Sequence, residues 1–120
     1  MRQFLTILFN KEFISVKIPE MYSPDTKKPL EFDAYCKILG IASEYNGKQH
    51  YEIAGFTKTE EQLSRRKYLD QLKKDYCIKN NILFLEIPYT ITNSNIPIYI
   101  YCLLLNNQNH VLPILKLKVV

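Results

Sequence analysis

Apolar residues recur along this chain with two different periods, and each change of period marks a change of element. Phe4, Leu5, Leu8 and Phe9 fall at helical spacing and predict a short amphipathic helix over residues 2–9. Pro19, Pro24 and Pro29 then punctuate the chain, so residues 14–29 read as a loop-rich connection with a turn through Pro24, Asp25 and Thr26. From Leu30 the period becomes two, with Leu30, Phe32 and Ala34 on one face and Glu31, Asp33 and Tyr35 on the other. Gly40–Asn46 alternates likewise and opposes Ile41, Ser43 and Tyr45 to Ala42, Glu44 and Asn46. Two short strands are thus predicted, each carrying its acid, Asp33 or Glu44, on a polar face.

Thr59 and Gln62 have the spacing of a capping box, and the polar segment from there to Asn80 predicts a long helix ending at Asn80-Asn81. Its apolar stripe is Tyr68, Leu69, Leu72 and Tyr76. On a different face Arg66, Asp70 and Lys73 fall at i, i+4 and i+7, which brings Asp70 within reach of both cations. Ile82–Ile87 is a compact apolar strand closed by Pro88, of the kind buried on both faces of a mixed sheet. The order is strand, strand, helix, strand. Between Glu86 and Lys116 there is no Asp, Glu, Lys or Arg, and within that tail periodicity leaves Ile96–Leu105 open between helix and strand.

A chain of 120 residues is large enough to bury one core and is read as a single domain, 1–120. With 47% hydrophobic residues and only three glycines it has the composition of a folded protein. The net charge of +4 suits contact with phosphates without marking a strongly basic nucleic-acid binder. Cys36, Cys77 and Cys102 are odd in number and lack any C-x-x-C pairing, so no disulfide framework or zinc ribbon is encoded, and a reducing, intracellular setting is expected. The opening segment is charged too soon for a signal peptide, and Ile96–Leu105 falls short of the ~20 apolar residues of a membrane span, so no membrane partner is expected.

Asp33 and Glu44, on neighbouring strands, can face one divalent metal. Hydrolysis of a phosphodiester near neutral pH needs a Lewis acid on the phosphoryl oxygen and a route to deprotonate water, and a carboxylate-held Mg²⁺ supplies both. Mg²⁺ takes only one or two protein carboxylates, so Asp33 and Glu44 suffice, with the backbone carbonyl of Tyr45 as a third ligand. His50 has the chemistry of a general acid or base, and Gln49 or Lys48 can orient the water or touch phosphate. The same residues also read as solvated acids flanking an Asn46-Gly47 hairpin turn.

Taken together, LEFDAY (30–35), ASEYNGKQHY (42–51), KYLDQLKKDYC (67–77) and ILFLEIPYT (82–90) resemble the small endonuclease domains of the PD-(D/E)XK superfamily found in giant viruses, phages and mobile elements. Very-short-patch mismatch-repair endonucleases and homing endonucleases with a similar core are among their relatives. The resemblance covers roughly residues 2–90 and leaves 91–120 as a divergent C-terminal extension. It implies an α/β fold with a restriction-endonuclease-like three-layer core, a mixed sheet flanked by helices. Asp33 is then the metal-binding aspartate, Glu44 the acid of the second strand and His50 the histidine after the turn. Asp70 falls where an aspartate supports that histidine in the relatives nearest the mismatch-repair enzymes, and Lys73 resembles the basic residue that follows it. Lys48, Arg66 and Lys73 are the cations expected to meet nucleic acid.

Two positions depart from the pattern. The superfamily's lysine, two residues after the acid, is Asn46, so its role must move to Lys48, Gln49 or His50. Thr6 stands where relatives place a glutamate in the opening helix. The zinc-binding cysteine modules many relatives carry upstream have no counterpart, so a minimal stand-alone nuclease or a shortened copy is expected. The leading reading is a Mg²⁺-dependent endonuclease cleaving DNA, possible as a homodimer through the apolar tail. A nuclease-like domain that binds DNA without cutting it is the alternative, and solvated carboxylates beside an oligomerising tail are a third reading. Elsewhere, His110 reads as solvent-exposed in a polar loop, Cys36 and Cys77 as small buried side chains, Glu31 as a surface acid and Glu86 as an edge charge.

Overall fold

The computed structural model describes residues 1–46 and 60–119, and of 114–119 the helical backbone alone. Helix α1 (Arg2–Phe9) forms where the helical spacing places it and buries Leu5 and Phe9. It stops at Asn10, which turns left-handed with φ 53°, a conformation asparagine tolerates better than most residues. Strand β1 (Ile14–Tyr22) comes next and corrects the loop expected over 14–29. Only Ile18 and Met21 of β1 are buried, so alternation is too weak to announce a strand. Pro19 misleads as well: β1 is an edge strand, and Pro19 sits in the irregular stretch between the pairs Ile18–Leu30 and Tyr22–Pro29, where a missing N–H costs no ladder bond.

The expected turn through Asp25 follows, closed by the N–H of Ser23 donating to the carbonyl of Lys28 at 3.0 Å. Strand β2 (Pro29–Cys36) and strand β3 (Ile41–Asn46) form where predicted, joined by a tight turn at Gly40 with φ 67°. Helix α2 (Glu60–Lys79) starts with Glu60 and Glu61, which favour the positive end of its dipole. Its expected capping residue, Thr59, lies outside the described residues. Strand β4 (Leu83–Pro88) is followed by a short 3-10 turn at Asn93–Asn95 and two helices, α3 (Ile96–Leu105) and α4 (Gln108–Val119). Pro97 sits in the first turn of α3, where its absent N–H is harmless, and the helical outcome settles the ambiguity of 96–105.

The result is a mixed α/β fold whose sheet has the order β1-β2-β3-β4, with β1, β2 and β3 antiparallel and β4 parallel to β3. On one face α1, α3 and α4 pack onto the sheet, where Leu5, Phe9, Ile100 and Leu104 meet Ile41, Leu85 and Ile87. On the other, Cys77 of α2 meets Ile18, Phe32 and Ala42. The C-terminal helices belong to the first of these cores. Among the described residues no helix is long and apolar enough to cross a membrane.

One irregularity changes which side chains face where. Ile14 pairs with Tyr35 but Val16 with Phe32, so one residue of β1, Ser15, stands opposite two of β2, Asp33 and Ala34. Such a bulge re-aims the side chains around it. Ala34 and Cys36 join the α1 side, whereas Phe32 joins the α2 side and packs its ring on Tyr35 and Phe84, with centroids 5.6 and 5.8 Å apart. The single apolar face expected for Leu30, Phe32 and Ala34 is therefore split. Asp33 lies inside the bulge.

Candidate active site

Ser43, Glu44 and Asn46 are all buried, because β3 lies between two strands and under helices on both faces. Glu44 is thus not on a solvated polar face, contrary to expectation: only 6% of it is exposed. A carboxylate so placed needs a cation. Lys73 of α2 supplies one, its Nζ donating to Oε1 of Glu44, with both side chains less than a tenth exposed. This explains why the buried stripe of α2 is not the apolar one. Lys73 and Cys77 are its buried residues, with Asp70 half-buried one turn earlier, while Tyr68 is 50% exposed. The polar set Arg66, Asp70 and Lys73 is the one turned toward the sheet.

Asp33 reaches the same place from β2. Its Oδ2 accepts the backbone N–H of Tyr45 at 3.0 Å, beside Glu44 in the chain. Burial pushes the Glu44 carboxyl above its ordinary range; Lys73 opposes the shift, and the negative charges of Asp33 and Asp70 reinforce it. Asp33, Glu44, Asp70 and Lys73 therefore share one electrostatic neighbourhood drawn from β2, β3 and α2.

A second acid sits alongside. The parallel register sets Glu86 opposite Glu44, and the adjacent Lys74 pairs with Glu86 at 3.2 Å. Glu86 also accepts the side-chain amide of Asn46 at 2.6 Å. Consecutive lysines of α2 thus serve acids on consecutive strands. Glu86, expected as a mere edge charge, is half-buried in this network. A signal for it was present, since IASE and LFLE place a glutamate fourth in each of two strands that a helical crossover makes parallel.

Other expected site residues fall differently. Lys48, Gln49 and His50 lie outside the described residues. Lys73, expected at phosphate, is buried on Glu44. Arg66 is half-buried. The exposed Tyr45 has its hydroxyl 3.3 Å from the carbonyl of Tyr89. Thr6 takes no part: its Oγ1 accepts the N–H of Phe13 at 3.1 Å, on a helix packed against the opposite face of the sheet. His110 lies on α4, half-buried, and not in a polar loop. Cys36 and Cys77 are buried free thiols, and burial pushes Cys77 up to about 12.

Among the described residues no group of three or more His, Cys, Asp or Glu side chains could hold a metal. The donor set fits a sparser site. Mg²⁺ retains several waters and needs one or two carboxylates, and among the described residues Asp33 meets its protein partner through Oδ2 and Glu44 through Oε1.

The chain is 35% identical over 106 residues to uncharacterized protein 033L of Invertebrate iridescent virus 3, a match covering 88% of this chain and 55% of that protein. It is 42% identical over 73 residues to uncharacterized protein 307L of Invertebrate iridescent virus 6, covering 60% of this chain and 36% of the relative. Against uncharacterized protein 094L of Frog virus 3 (isolate Goorha) it is 39% identical over 83 residues, covering 68% and 54%. The chain thus spans about half the length, or less, of these curated relatives. No family model matches it, and no solved structure does.

Proposed function

We propose that this chain is a Mg²⁺-dependent endonuclease domain that hydrolyses DNA phosphodiester bonds on a restriction-endonuclease-like core. The reading is carried by one observation: an acid from β2 and an acid from β3 lie together under a polar face of α2 that holds Asp70 and Lys73. The order α1-β1-β2-β3-α2-β4, with β4 parallel to β3, supports it, because the resemblance of residues 2–90 implies a mixed sheet flanked by helices.

Asp33 and Glu44 would hold the metal, which when bound polarises a phosphoryl oxygen and acidifies water. Asp33 is positioned for this by the Tyr45 N–H, which fixes its carboxylate at the bulge. Without metal, Glu44 is paired with Lys73 inside a low-dielectric layer where charge interactions are stronger than in water. Asp70 adds negative charge beside Glu44. Activation of water by His50 or Gln49 and phosphate contact by Lys48 and Arg66 rest on the sequence alone. Cutting both strands of a duplex calls for two such sites, which a homodimer provides.

Supercoiled plasmid incubated with the protein and Mg²⁺ tests the proposal. Nicking or linearisation that Asp33→Ala and Glu44→Gln abolish is the expected result. A second reading, DNA binding without cleavage, is favoured by Asn46, which stands at the position of the superfamily lysine and is tied to Glu86. Its mark is a salt-sensitive gel shift with intact plasmid, since phosphate contacts release counterions.

A further inference from the structure

From the burial of Lys73 on Glu44 we infer that the Lys73 ammonium is a built-in stopper of the cation site, so that a divalent ion and Lys73 are alternative partners of Glu44 and one must leave before the other binds. The inference rests on the metal reading above and goes beyond it in naming what governs metal uptake.

Three features carry it. Glu44 and Lys73 are each 6% exposed, so neither charge is met by bulk water and each depends on the other. The Nζ of Lys73 is bonded to Oε1 of the acid that would bind metal, so the ammonium occupies space a cation needs. Asp33 and Asp70 add negative charge around Glu44. A neighbourhood of this sign attracts a divalent ion, and the internal ammonium lowers that attraction by direct repulsion. Lysine suits such a movable role, because its charge sits on a flexible four-carbon stem, whereas an arginine fork would lock onto the carboxylate with two bonds.

Two measurements test it. Calorimetric titration of Mn²⁺ into the wild-type chain and Lys73→Met should show binding to both, with Lys73→Met roughly tenfold tighter because the competing charge is gone. Lys73→Arg should bind more weakly than wild type. Binding to wild type with no gain in Lys73→Met overturns the stopper and leaves the metal reading standing. Absence of binding to both folded proteins overturns the metal reading, and the stopper with it.

The second measurement needs no variant and stands even where Lys73→Met fails to fold. Reductive methylation of the wild-type chain, followed by peptide mass spectrometry, should find Lys73 protected without metal and labelled several-fold faster at saturating Mn²⁺. Exposed lysines such as Lys67 serve as the reference. Unchanged protection of Lys73 under conditions where calorimetry shows saturation overturns the proposal.

Discussion

The carboxylate of Asp33 accepts the backbone N–H of Tyr45 across the β2–β3 pair, 3.0 Å from oxygen to nitrogen. A side chain thus completes the pairing of two strands at the point where the bulge interrupts regular alternation, and structure and chemistry make separate demands on one residue. Asp33→Asn keeps an acceptor oxygen but loses the charge, so it should fold with stability close to wild type while losing metal binding. Asp33→Ala loses both and should cost a further ~0.5–1.5 kcal/mol, the net worth of a neutral hydrogen bond. Urea unfolding beside plasmid cleavage separates the two effects; equal destabilisation by both variants would contradict this account.

Removing Lys73 strands a carboxylate. Lys73→Ala should destabilise the fold by roughly 3–5 kcal/mol, the usual cost of breaking a buried ion pair from one side. Replacing both members, as in Glu44→Leu with Lys73→Met, should recover most of that loss, because the uncompensated charge is then gone. A double-mutant cycle by chemical denaturation reads the coupling directly.

Acid should act on two carboxylates in opposite directions. The guanidinium of Arg65, helped by Ser23, holds Asp25 well below the usual carboxylate range. Its contribution is therefore present above its ordinary value of 3.8 and is lost as pH falls toward the depressed one. Glu44 is raised by burial, so its contribution is full below 4.5 and is lost as pH rises through the higher value. Asp25→Asn should flatten the acid limb of the stability profile. Glu44→Gln should gain on wild type as pH climbs from about 4.5. Melting temperatures between pH 3 and 7 check both signs.

The thiols should differ sharply in reactivity. Cys102 is exposed on α3, whereas Cys77 lies on the buried face of α2 with its thiol pushed up to about 12. Since the thiolate is the reactive form, iodoacetamide at neutral pH should label Cys102 and spare Cys77 and Cys36 until the protein unfolds. Mass spectrometry of native and urea-treated samples reads this.

Where local pattern governs, the sequence was readable. Helix α1, the turn at Asp25, strands β2, β3 and β4 and the long helix α2 all stand within a residue or two of their expected bounds. Strand β1 was hidden because an edge position tolerates Pro19 and needs only two buried residues. The bulge was hidden because strict alternation is the assumption by which strand faces are read, and one extra residue moves Phe32 to the other side. The candidate site was half visible. Asp33, Glu44 and Asp70 were named from spacing and resemblance, but Lys73 was assigned to phosphate because a lysine on a polar helix face is normally solvated. Its burial follows from Glu44 lying beneath it, a tertiary fact with no local trace.

The parallel pairing of β3 with β4 also orders events in time. The partners β1–β2 and β2–β3 are close in the chain, but Ser43 meets Leu85 across 42 positions, and that contact waits for the α2 crossover to close. Asp33 and Glu44 can meet early, on a hairpin. The lysines that meet Glu44 and Glu86 arrive only with α2, in the slow, non-local stage. A chain folded only as far as β3 therefore holds Glu44 without its lysine, and the buried acid gains its charge partner with the last contacts made.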